Sequence, residues 1–188
     1  MIRLNNNAMA LWHYNNNDSF QKAILFLDSA TNIDSNALTV YWNKLAFLFQ
    51  LKKYDKAITA VNSMIRIKPL AQDLYFTGGM VYERLGDTIS ANNYFKKTQT
   101  ICSNILDTMN SANKHYNMLF TNKAVTTILL GDSAKGNELL NQLYNKQTDE
   151  GLKKITLSLM NKNKEQLVAL MGGSDSSSNS TTVSPSVK

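Results

Sequence analysis

Cys102, His13 and His115 are the side chains from which a nucleophilic or acid–base site would have to be built, because the chain has one cysteine and two histidines. They do not converge. The histidines are far apart in sequence, and Cys102 and His115 fall in one stretch, Ile101 to Tyr116, that lacks Gly and Pro and reads as helix. At about 1.5 Å of rise per residue, that spacing puts about 20 Å between thiol and imidazole, too far for a nucleophile–base pair. Cys102 therefore reads as a small buried apolar residue. No Cys/His set has zinc spacing, no glycine-rich loop has the phosphate-binding form, and the acids are scattered. Gly78-Gly79 lies inside a helical pattern and reads as a packing site. The sequence predicts no enzyme, no metal and no cofactor.

Charge gives a weaker lead. The net charge of +6 over 188 residues is concentrated in places: Lys44, Lys52, Lys53, Lys56, Arg66 and Lys68 face one nearby acid, Asp55. A second group, Lys146, Lys153, Lys154, Lys162 and Lys164, is mixed with Asp149, Glu150 and Glu165. A nucleic-acid surface needs a dense basic stripe with stacking aromatics on the same face, and none is found. The lysines read as solvating outer helix faces, and weak nucleic-acid binding stays only a second alternative. No apolar run is long enough to cross a bilayer, and a single cysteine leaves the redox compartment open. Met1-Ile2-Arg3 leads into asparagines with no apolar signal region, although the periodic pattern is already running by about residue 4. A mature form trimmed of its targeting segment fits this start, and would be periplasmic or lipoprotein-anchored. Otherwise the protein is expected to be cytoplasmic.

The elements that position these residues are clearest at Tyr75 to Thr98. Leu85-Gly86-Asp87 is a stop-and-restart between two helices, with Gly as left-handed C-cap and Asp as N-cap. The second helix then presents Ala91, Phe95 and Thr98 on one face. Shifting this stretch back by 34 residues lands on Tyr41–Met64, with Ala91 over Ala57, Phe95 over Val61 and Tyr82 over Leu48. Another such shift places Ala23 under Ala57, Tyr14 under Leu48 and Ser35 under Pro69. A helical hairpin cannot bury both faces alone, so a fixed period means that each unit buries its apolar face against the next.

These repeats resemble the tetratricopeptide repeat, carried by Tyr75, Gly79, Tyr82, Ala91 and Phe95 in the best unit. The second unit supplies Tyr41, Ala57 and Pro69, and the first supplies Tyr14, Ala23 and Ala30. The resemblance covers about residues 4–150 and implies an all-α fold, an α-α superhelix, that is a right-handed solenoid of helical hairpins. In the family, small residues at the Gly79 and Ala91 sites let the paired helices approach. Leu11 and Leu45 depart from that pattern, so the first two hairpins are expected to splay wider.

The expected hairpins are about 4–37, 38–71, 72–116 and 117–148, with a capping helix at 149–160 and a short helix within 161–171. The last residues, 172–188, are rich in Ser and Thr and are expected to be disordered. After Thr98 the period breaks and resumes at Phe120, Ala124, Leu129–Asp132, Gly136 and Leu140. Extended helices are therefore expected around 101–116, projecting past the edge of the array. Gly136 replaces the usual Ala, at an expected cost of about 1 kcal/mol in helix propensity.

The resemblance further implies that the first helices of successive hairpins line a concave groove where peptides or partner helices lie. Projection gives Ala8, Met9, Trp12 and Asn16 from the first unit, and Trp42, Asn43, Ala46, Phe49 and Gln50 from the second. The third gives Asp73, Phe76, Thr77, Met80 and Arg84, and the fourth Thr121, Asn122, Val125 and Ile128. Aromatics with amide neighbours suit a peptide groove, the rings as anchors and the amides for backbone hydrogen bonds. A register slip of one residue would instead make Trp12 and Trp42 inter-repeat core. The reading is a scaffold for a protein or peptide ligand, an adaptor or assembly factor. The first alternative is a homo-oligomer formed through the extended helices.

Chaperone-binding members of the family clamp a C-terminal carboxylate with Lys, Asn and Arg side chains. The matching positions here are Ala8, Trp12, Asn43, Asp73 and Thr77. Only Asn43 agrees, and Asp73 would repel a carboxylate. An acidic C-terminal peptide titrated by calorimetry is expected to show no binding; a micromolar Kd would overturn that.

Overall fold

The computed structural model describes residues 1–171; the tail expected to be disordered, 172–188, lies outside them. The order is α1 (Ile2–Ala10), a 3-10 turn (Leu11–Tyr14), α2 (Asn17–Ile33), α3 (Leu38–Gln50), α4 (Tyr54–Ile67), α5 (Gln72–Leu85) and α6 (Thr88–Leu106). Then follow α7 (Tyr116–Leu129), α8 (Ser133–Lys146), α9 (Glu150–Leu159) and α10 (Lys164–Met171). Among the described residues there is no strand. From α1 to α9, helices consecutive in the chain pack on one another. The result is an all-α, α-α superhelix of packed hairpins; their first helices, α1, α3, α5 and α7, are termed the inner layer, and their second, α2, α4, α6 and α8, the outer.

Within each hairpin the chain reverses through one residue with positive φ: Asn15 (44°), Lys52 (53°), Gly86 (76°) and Gly131 (103°). At the last three, the next amide reaches back to an orphan carbonyl of the helix just ended. Lys53 N–H donates to Leu48 O (2.9 Å), Asp87 to Tyr82 O (3.0 Å) and Asp132 to Thr127 O (3.1 Å). Asp87 and Asp132 then cap the following helix, accepting from Ser90 N and Lys135 N. Hydrogen bonds from Ser90, first its side chain and then its backbone, hold the Asp87 carboxyl below its ordinary value. The stop-and-restart read at Leu85-Gly86-Asp87 is therefore a device that recurs.

Packing explains the small residues. Ala23, Ala57 and Ala91 are fully buried. A Cβ on Gly79 would overlap the Phe95 ring, and one on Gly78 would overlap the Tyr94 ring. Two apolar clusters fill the array and meet at α5. Leu74 and Val81 belong to the cluster running back to Ala8, whereas Met80 belongs to the one running on to Leu159 and Leu167.

Three local expectations need correction. First, α6 does not run on through Tyr116; it stops at Leu106. Asn110 and Asn113 turn the chain instead, their side-chain oxygens accepting from Ala112 N (2.8 Å) and His115 N (2.9 Å). Asn offers the backbone local partners that compete with helix, and four of them fall between 104 and 117. At 19 residues against 14 in α4 and α8, α6 is extended, but only as far as Leu106. Second, the first hairpin turns early, and Asn16, expected to line the groove, caps α2. Third, Gly136 is not a degenerate Ala. A Cβ there would overlap Ile128 and lie 2.8 Å from the Ala124 carbonyl oxygen.

Gly136→Ala is accordingly expected to destabilise the protein by about 1–3 kcal/mol through overpacking, against a helix-propensity gain of about 1 kcal/mol. Chemical denaturation monitored by circular dichroism measures the sum, and a stabilised variant would remove Gly136 from the list of obligatory contacts.

Candidate functional site: the inner face and its cover

The inner layer begins at α1, where Ala8 is fully buried and Met9 packs against the first apolar cluster. Trp12 sits in the 3-10 turn, 36% exposed, with its ring 5.5 Å from Phe20 and 5.0 Å from Phe47. Phe20 and Phe47 are both buried, so one edge of Trp12 completes a three-ring core cluster. Asn16 is not a lining residue. Its side chain caps α2 by accepting from Ser19 N at 2.9 Å, and its amide donates to Tyr14 O.

On α3, Trp42, Ala46 and Phe49 share one face at i, i+4 and i+7. Trp42 is 38% exposed, and Phe49 is half-buried with its ring 6.0 Å from Tyr54. Asn43 donates to Asn5 Oδ1 at 2.7 Å and so ties α3 to α1. On α5, Asp73 is exposed, while Phe76 and Thr77 are half-buried. Phe76 leans on Phe95, and Thr77 donates to its own helix at Asp73 O.

Further along α5 the surface changes character, because α10 lies on it. Lys164 Nζ is 2.6 Å from Glu83 Oε1, and Arg84 Nη2 donates to Val168 O at 3.1 Å. Leu167 is fully buried in the same cluster as Met80, Val125 and Ile128, with Val168 packed beside it. Burying Leu167 contributes about 2 kcal/mol. Met80 (5% exposed) and Val125 (0%) are therefore covered, not open to solvent as their register suggested, and Ile128 and Ala8 are core. Sequence reasoning named Arg84 but missed Glu83. The available signal was Lys164, a cation at the positive end of a short helix, where the macrodipole disfavours it.

Asn122 is also engaged. Its Nδ2 donates to Gln72 Oε1 at 2.8 Å, and the Cys102 thiol points at the same oxygen at 3.7 Å. Gln72 is buried, so these bonds satisfy an acceptor that would be costly to leave alone. Burial pushes the Cys102 thiol up to about 12, against a smaller opposing effect of Lys123, so it carries no reactive thiolate near neutral pH. His115 is exposed in the loop before α7, and His13 is exposed in the 3-10 turn at the opposite end of the array.

No family model matches the sequence, and no curated protein matches it. Among solved structures the chain is similar to one titled "Crystal structure of MamA", with a TM-score of 0.52. The two are 16% identical over 76% of this chain and 75% of that one. At that identity the likeness establishes the fold alone: a tetratricopeptide-like helical repeat. Among the described residues, no helix is long and apolar enough to cross a membrane.

The two tryptophans should separate in a stability assay despite similar exposure. Trp12→Ala removes two ring contacts and is expected to cost about 2 kcal/mol, counting about 0.5–1.5 for each aromatic pair. Trp42→Ala is expected to stay within about 1 kcal/mol of wild type. Equal losses in urea melts would place Trp42 in the core as well.

Proposed function

We propose that this protein is a non-enzymatic protein–protein interaction scaffold that binds a peptide or partner helix on its inner face, as an adaptor or assembly factor. One observation carries the reading: Trp42 stands 38% exposed on the inner helix of the second hairpin. Half-buried Phe49 shares its face, and half-buried Phe76 and Thr77 with exposed Asp73 continue the surface on α5. Large rings partly open to solvent, flanked by polar groups, are what interface anchors look like before a partner covers them. The binding set is narrower than the register alone implied: Trp42, Phe49, Asp73, Phe76 and Thr77. Met9, Trp12, Asn16, Asn43, Met80 and Asn122 act in packing, capping or cross-helix bonding instead.

Self-assembly through extended helices near 101–116 has less to support it, since α6 reaches only Leu106. For the nucleic-acid alternative, Lys44 of the second hairpin is already bound to Asp28 at 2.6 Å.

Affinity capture from the native host, comparing wild type with a Trp42→Ala/Asp73→Ala double variant of unchanged melting temperature, tests the reading. Wild type is expected to retain a defined set of proteins that the variant loses by at least tenfold. Identical retention by both would move the binding surface elsewhere.

A further inference from the structure

The C-terminal helix sits on the inner face as a ligand would. Its N-terminal end is finished without help from the array: Gln166 N donates to Asn163 Oδ1 at 2.8 Å and Asn163 N donates to Gln166 Oε1 at 3.0 Å, a reciprocal capping box. Its attachment is small and chemically specific. Glu83 takes the Lys164 ammonium, Arg84 takes the Val168 carbonyl, and Leu167 fills an apolar hole beside Met80.

Each contact has a reason that belongs to the receptor. A lysine in the first turn opposes the helix dipole, so its place is accounted for by Glu83. The carbonyls of the last turn have no partner within the helix, and Arg84 supplies one. The fit is also incomplete. Arg84 Nε is buried with no hydrogen-bond partner among the described residues, and Leu170 remains half exposed. A held but imperfectly satisfied segment can be exchanged.

We propose that the inner face of α5 and α7 is a receptor for a short amphipathic helix with a cation one turn ahead of an apolar pair, and that α10 is its resident occupant, displaced by a partner helix of that chemistry. This rests on the inner face being the binding surface, as proposed above. The receptor then has an open half around Trp42 and a half that is self-occupied. A segment tethered by a short linker competes at an effective concentration of roughly millimolar, so only a partner that also engages the open half displaces it efficiently.

The test uses the full chain and a fluorescein-labelled synthetic peptide with the sequence of residues 161–171, followed by fluorescence anisotropy. Wild type, with its receptor filled in cis, is expected to bind the peptide at least tenfold more weakly than a Leu167→Asp variant whose own helix cannot dock. Adding Glu83→Lys to that variant should abolish binding, and a peptide with Glu at the position of Lys164 should restore it. If Leu167→Asp does not fold, as judged by circular dichroism, Lys164→Glu releases the helix without a buried charge and takes its place. Equal binding to wild type and released variant would overturn the proposal. So would no binding to either, or a doubled mass from copies exchanging α10. Trp42 takes no part in this readout. A failed capture experiment with intact peptide binding thus condemns the open-groove reading, and the reverse condemns only the resident-helix one.

Discussion

The array depends on how closely the two helices of its third hairpin approach. At Gly78 and Gly79 the backbone of α5 lies so near α6 that any side chain would enter the Tyr94 or Phe95 ring. Phe95 is fully buried there, and Tyr94 is wedged between Tyr75 and Tyr82. A close-packed interior cannot take up an added methyl group without strain, so this contact fixes the spacing of the hairpin. The apolar clusters on its two sides meet at α5. The fourth hairpin repeats the arrangement with Gly136 over Ile128, by the same logic but on different residues.

That constraint propagates through polar as well as apolar contacts. Between the third and fourth hairpins the burial of Gln72 is made tolerable by Asn122 and Cys102, while Gln99 donates to Thr127 Oγ1 at 2.8 Å. Thr98, also buried, turns its hydroxyl to Tyr94 O. These bonds join α5, α6 and α7 at the place where the repeat period breaks. An inserted loop shifts the following hairpin in sequence, and a polar layer with directional bonds holds its position in space where a purely apolar contact would allow sliding. Asn122, which register alone would assign to a ligand, serves this layer.

The general fold was legible because it rests on periodic features. Helical spacing, the recurring Ala23, Ala57 and Ala91, and the Gly-Asp turns are all local or regularly repeated. The all-α superhelix follows from them, and the likeness to MamA bears it out. What was not legible is aperiodic. Asn16 caps a helix because the first turn closes early, and Trp12 meets Phe20 and Phe47 because that same turn tips its ring inward. A lack of Gly and Pro does not keep α6 going past Leu106 when asparagines offer the backbone other bonds. Gly136 looked like a weakened repeat position, since its value lies in an atom it lacks, and composition cannot show an overlap.

The inner face shows the limit most sharply. An apolar stripe on α10 says that the helix must cover something, but not what it covers. Only ends and charges discriminate. Lys164, at the wrong end of its helix for the dipole, meets Glu83, and Arg84 meets the carbonyl of Val168: two matches of different chemistry. Apolar contact alone would let Leu167 slide along the face or trade places with Leu170. The ion pair fixes one end of the helix and the carbonyl contact fixes the other, so together they set its direction. A surface that dictates the direction of a helix as well as its burial has the properties of a recognition site, and its occupation by the chain's own terminus makes access to Met80 depend on how firmly one leucine is held.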